Sequence, residues 1–156
     1  MLQKVSKIIQ FHYLVSPFYL PNRNELKAYI FRLFKSKGRE IDHINYIFCT
    51  DDYLYDLNVK HLNHKTYTDI ITFDLSTDKT ALVADIYISI DRVRENATAF
   101  KTTFTSELHR VIFHGALHLC GYKDKTEKDS SIMRSMEEKC LSDYFVPCGT
   151  NRKRVQ

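Results

Sequence analysis

The sequence predicts an α+β fold: one layered domain, a mixed sheet of about four strands with about five helices, and a metal site at the end of a central helix. Three observations lead there. The chain has 156 residues, of which 44% are hydrophobic and 27% charged, enough for one core and too apolar for disorder. Short apolar and aromatic runs alternate with stretches of helical periodicity. Two histidines four residues apart stand just before a glycine near the end of one such stretch.

The elements follow in order. Residues 8–13 read as a first strand. Asn22, with Glu25 three residues on, offers a capping pair for a helix whose apolar face is Leu26, Tyr29, Ile30, Leu33 and Phe34, and Gly38 stops it. Residues 41–49 form the next strand, after which Thr50 caps a helix carrying Tyr53, Leu54 and Leu57. Two strands follow at 70–75 and 82–89. Three helices complete the chain, at 91–100, at 106–120 with Glu107 near its start, and at 127–141 with Thr126 and Asp129 as a capping pair.

Neither an internal repeat nor a Pro/Gly/Ser-rich linker interrupts this series, so residues 1–142 read as a single domain and 143–156 as a basic C-terminal tail holding Arg152, Lys153 and Arg154. The formal charge of +4 is compatible with a polyanionic partner without demanding one. Cys49, Cys120, Cys140 and Cys148 form no CxxC pair and read as reduced thiols. Polar residues break every candidate apolar span, so no membrane segment is expected and the place of action is cytoplasmic.

His114 and His118 share one helix face about a turn apart, the spacing at which two imidazoles grip one ion. Gly121 then permits a left-handed reversal that carries Asp124 back under them. Position for position this is the ligand spacing of the long zincin motif, with Asp124 in place of its third histidine. With seven histidines in the chain, a pair four apart arises easily by chance; the glycine at the matching position gives the pattern its weight. One divalent ion, zinc, is expected on His114, His118 and Asp124, and three protein ligands leave a fourth position open. Zincin peptidases carry their general-base glutamate directly after the first histidine, and Gly115 stands there, which disfavours peptidase activity. That glycine either clears room beside the metal or serves close packing.

From His114 to Asp124 the chain reads His-Gly-Ala-Leu-His-Leu-Cys-Gly-Tyr-Lys-Asp, which closely resembles the signature of the YbeY family. Leu57-Asn58, the run Thr68-Asp69-Ile70-Ile71-Thr72-Phe73 and the run Ala84-Asp85-Ile86-Tyr87-Ile88-Ser89 resemble further segments of it, and the likeness covers roughly residues 20–142. The resemblance implies a bacterial single-strand-specific endoribonuclease with one metal ion. It would act in maturation of small-subunit ribosomal RNA and in ribosome quality control, with RNA and the ribosome or small-subunit proteins as partners. It also implies an α+β fold. This chain departs from the family at three places: Asp124 stands for the third histidine, Leu62 for a basic residue thought to assist at the phosphate, and Ala84 for a glycine. Aspartate lowers the charge of the site by one and so makes bound water less acidic.

No catalytic acid or base is assigned by the sequence; Asp69 is the candidate, from a position where a carboxylate can orient a ligand or water. Arg110, Lys123 and Lys60 are candidate phosphate contacts, and Lys60, His61, His64 or Lys65 can supply the charge absent at Leu62. Tyr67 and Tyr122 offer stacking faces. Two other functions are carried forward: an RNA- or ribosome-associated protein with structural zinc, and a metallopeptidase drawing its base from Asp69 or Glu107.

Overall fold

The computed structural model describes residues 2–146, so Cys148 and the Arg152–Arg154 cluster lie outside the described residues. Its elements are α1 (Leu2–Ile8), β1 (Ile9–Tyr13), α2 (Arg23–Ser36), β2 (Ile41–Cys49), α3 (Asp51–Leu62), β3 (Ile70–Asp74), β4 (Leu82–Ser89), α4 (Ile90–Ala99), α5 (Phe104–Leu119) and α6 (Glu127–Phe145). The expected α+β architecture with a four-stranded mixed sheet is present. The strand order is β1-β2-β4-β3, with β1, β2 and β4 parallel and β3 antiparallel to β4.

Period-two alternation builds the main core. Ile44, Tyr46 and Phe48 of β2 and Ala84, Ile86 and Ile88 of β4 turn one sheet face toward α2, α5 and α6, where Leu26, Ile30, Phe113 and Met133 meet them. The Tyr46 hydroxyl, buried there, donates to the Ile112 carbonyl at 3.0 Å and ties the sheet to α5. On the opposite face α3 covers a smaller cluster of Leu54, Cys49 and Ile71.

Three local expectations change. The sequence predicts no helix before the first strand, yet α1 precedes β1: seven residues with one buried side chain, Val5, are too short for periodicity to register and depend on packing against α2. Asn22 does occupy the N-cap of α2, but at φ 52° and with no side-chain cap bond, so it turns the chain instead of capping it. Gly115 packs helix against sheet: an added Cβ would stand 2.9 Å from Ile70 Cδ1 and 3.1 Å from Ile86 Cγ2. Absence of a side chain is therefore what lets α5 lie close on β3 and β4. Other signals act as expected, with Thr50 and Thr126 accepting from Tyr53 N and Asp129 N. Among the described residues no helix is long and apolar enough to cross a membrane.

Candidate metal centre

On α5, His114 and His118 stand side by side, their rings 6.3 Å apart between centroids and tilted by 4°. The helix ends at Gly121, whose φ of 103° is open to glycine and not to other residues. Gly121 N donates to His118 O at 3.0 Å and Tyr122 N to Leu117 O at 3.1 Å, which closes the last turn and reverses the chain. The reversal sets Asp124 Oδ2 3.4 Å from His114 Nε2. Two ligands of a tetrahedral zinc, each ~2.0–2.1 Å from the ion, lie about 3.3–3.4 Å from one another.

Behind this pair is a carboxylate. Glu137 of α6 accepts from His114 Nδ1–H at 3.1 Å, which leaves Nε2 facing Asp124. Its second oxygen accepts from Arg110 at 2.5 Å, and Arg110 also binds Glu107 and comes within 3.9 Å of Asp69. Arg110 is 14% exposed by side chain, Glu107 2% and Glu137 4%. Buried charges of this kind persist only because they are paired, and removing one partner of such a set costs about 3–5 kcal/mol.

Burial alone disfavours the charged form of His114, but the hydrogen bond and charge of Glu137, with Asp69 and Asp124, outweigh it and raise its pKa. For Glu137 burial works the other way, and His114 and Arg110 overcome it and lower the pKa. Asp69 is raised, with burial prevailing over the attraction of Arg110 and His114. Carboxylates thus face both nitrogens of one imidazole, Glu137 at Nδ1 and Asp124 at Nε2.

A cavity of about 440 Å³ opens over this face. Asn58, Leu62, His64 and Thr66 line its far side, β3 contributes Ile70, Ile71 and Thr72, and His114, His118, Asp124 and Lys125 form the near side. Asp69 lines it as well.

The structure sorts the candidate residues. His114 and Asp124 converge, and His118 stands beside them on the same cavity. Among the described residues, however, no three His, Cys, Asp or Glu side chains already form a cluster closed enough for an ion. The donor set fits a divalent ion in type, imidazole with carboxylate, and in the spacing of one pair. Arg110 is engaged by Glu107 and Glu137, so it braces the site and is not an open phosphate contact. Glu107, held by Arg110 and buried, is likewise no free base. Lys60 and Lys123 are exposed and do not line the cavity, whereas His64 does. Tyr67 packs tilted against Tyr55, ring centroids 4.6 Å apart, and lies under Arg92 at 5.4 Å, outside the lining.

Glu137 and Lys125 went unread in the sequence. For Glu137 a signal exists: it falls in the buried stripe of α6 between Met133 and Cys140, where an unpaired carboxylate would be costly. Lys125 carries no such mark.

Comparison with known proteins gives a consistent result. The family profile described as Endoribonuclease YbeY matches residues 22–145. Proteins named Endoribonuclease YbeY are similar along most of the chain. The one from Christiangramia forsetii is 45% identical over 129 residues, 83% of this chain and 90% of that one. Its counterpart in Flavobacterium johnsoniae is 41% identical over 139 residues, 89% of this chain and 99% of that one. A solution structure of a Thermotoga maritima protein aligns with a TM-score of 0.59 at 27% identity, covering 92% of this chain and 93% of that one.

Proposed function

The chain belongs to the YbeY endoribonuclease family, and from that premise we propose that it cleaves single-stranded RNA with one bound divalent ion, zinc, in the cytoplasm. Its RNA would be that of the small ribosomal subunit during maturation and ribosome quality control, with the ribosome or small-subunit proteins as partners.

The observation that carries the reading is the His114 Nε2 to Asp124 Oδ2 approach of 3.4 Å on the wall of a cavity of about 440 Å³, with the opposite nitrogen of His114 held by Glu137. His114, His118 and Asp124 would hold the ion. An ion there supplies Lewis-acid chemistry at a phosphoryl oxygen and acidifies water. The remaining work falls to the protein. Glu137 fixes the tautomer of His114, so that Nε2 presents its lone pair to the cavity. Arg110 holds Glu137 in place while Asp69, its carboxyl raised by burial, is the group within the lining suited to take a proton from a nucleophile.

Unstructured RNA incubated with purified wild type, His114→Ala and His118→Ala tests this on a gel. Cleavage by wild type alone is expected; equal cleavage by all three overturns the reading.

Leu62 on the cavity wall favours a second reading, an RNA-associated protein whose zinc is structural, because that wall presents an alkyl group where the resemblance calls for a cation. Zinc removal would then unfold the chain, and the holo protein would bind RNA without yielding product.

A further inference from the structure

The two sides of the cleft differ in charge. Asn58, Leu62, His64 and the threonines of the α3–β3 side bring no Lys or Arg, and among the described residues Lys125 is the single Lys or Arg lining the cavity. A second cavity, of about 510 Å³, begins where the first ends: it shares Asp124 and Lys125 and continues along the first turns of α6 over Ser130, Ser131 and Arg134. Lys125 and Arg134 are both exposed, and neither forms an ion pair with a described residue. Arg110, behind the site, is engaged by Glu107 and Glu137, and Lys123, though exposed beside Asp124, lines neither cavity. Besides Asp124, Glu127 is the one acidic residue in this second groove.

Arg134 lies seven residues beyond Glu127 on α6, roughly 10 Å of axial rise at ~1.5 Å per residue, and Lys125 stands two residues before the helix. Nucleotides rise ~3.4 Å each along the axis of a stacked strand, so this stretch of helix matches about three of them. The geometry points to a phosphate track: Lys125 and Arg134 bind the backbone of single-stranded RNA as it leaves the metal cleft along α6, supplying from that side the positive charge that the Leu62 side lacks. The hydroxyls of Ser130 and Ser131 lie between them as further donors to phosphate oxygens. This inference rests on RNA being what the cleft binds.

Fluorescence anisotropy of a single-stranded 2′-O-methyl oligonucleotide, titrated over a salt series with the zinc-loaded full chain, provides the test. Wild type is compared with Lys125→Gln, Arg134→Gln, the double variant, and Lys139→Gln, which removes an exposed α6 cation paired with Asp143 at 3.1 Å. Each track variant is expected to lose roughly three- to tenfold in affinity. Each should also flatten the slope of log affinity against log salt by about 0.7. The double variant flattens it by about twice that, and Lys139→Gln leaves it alone. Equal slopes in wild type and the double variant, or no binding by wild type, overturn the track. A parallel gel with the matching RNA separates the two ideas. Wild-type cleavage with an unaltered slope in the double variant removes the track and leaves the nuclease. A lowered slope with no wild-type cleavage keeps the track and removes the nuclease.

Discussion

His109 and His114 lie on the same helix, five residues apart, and have opposite surroundings. His109 is fully buried, donates from Nδ1 to the Thr105 carbonyl at 2.6 Å, and is packed by Tyr144 and Phe145 with Nε2 unpartnered. His114 donates from Nδ1 to a carboxylate, and its Nε2 faces a cavity and a second carboxylate. Burial lowers the pKa of His109, the Thr105 bond opposing it, whereas the carboxylates raise that of His114 against burial. A neutral acceptor behind the ring and an apolar wall in front make a packing residue. A charged acceptor behind and open space in front suit a ring to ligation. Residue type says nothing of this; the partner of Nδ1 decides it.

The largest way to break this contrast is at the ring itself. Replacing His114 with alanine should lower RNA cleavage by ~1,000-fold or more, about 4 kcal/mol of barrier, while His109→Phe, which preserves an aromatic ring in the pocket, should leave cleavage within about twofold. Comparable losses in the two variants, measured under saturating zinc, would mean that α5 acts through its fold and not through one imidazole.

The next effect lies behind the ring. Glu137→Gln retains a hydrogen-bond acceptor for Nδ1 but removes the charge, so zinc affinity by chelator competition should fall ~10- to 100-fold. Arg110 keeps Glu107 as partner, which limits the cost to folding. Unchanged affinity would show that the carboxylate braces Arg110 and does nothing for the metal.

Gly115 lies between the two histidines and points at the sheet, and a methyl there has a smaller consequence. Gly115→Ala should lower stability by about 1–2 kcal/mol in denaturant titration, since Ile86 Cγ2 is a fixed branch while Ile70 Cδ1 can swing aside. Adding Ile70→Val should restore part of the loss. If it restores none, the obstruction is Ile86 alone.

The contrast also explains what was legible in the sequence. Strand alternation, the Thr50 and Thr126 caps, and the turn at Gly121 act through local backbone chemistry, and each appears where its residues predict it. So does the sharing of one face by His114 and His118, which helical spacing dictates. What stayed hidden depends on contacts distant in sequence. Glu137 reaches His114 across 23 positions and Arg110 across 27, whereas the Glu107 that also engages Arg110 is three residues away, a spacing the sequence does show. Asn22 misled for a local reason, since the same side chain that caps a helix also tolerates a left-handed backbone. The sequence separates His114 from His109 by its spacing to His118 and Gly121, but the carboxylate behind the His114 ring comes from α6 and does not show there.

The smallest effect concerns protons, and it separates the two histidines by sign. Because the folded pKa of His109 is below its ordinary value of 6.5, the unfolded chain takes up the proton first as pH falls, and stability is lost below that value. The folded pKa of His114 is raised above 6.5, so in metal-free protein its contribution is complete below that value and disappears as pH rises through the folded one. The two windows adjoin near 6.5, and each can tilt the curve by at most ~1.4 kcal/mol per pH unit. Between pH ~5 and ~8 most carboxylates stay ionised, which keeps their titration out of the measurement. Denaturant unfolding in excess chelator should therefore show a shallower acid limb in His109→Phe and a shallower alkaline limb in His114→Gln. A full acid limb in His109→Phe would mean that His109 is not the neutral, buried member of the pair, and the contrast between the two rings would fail at its first term.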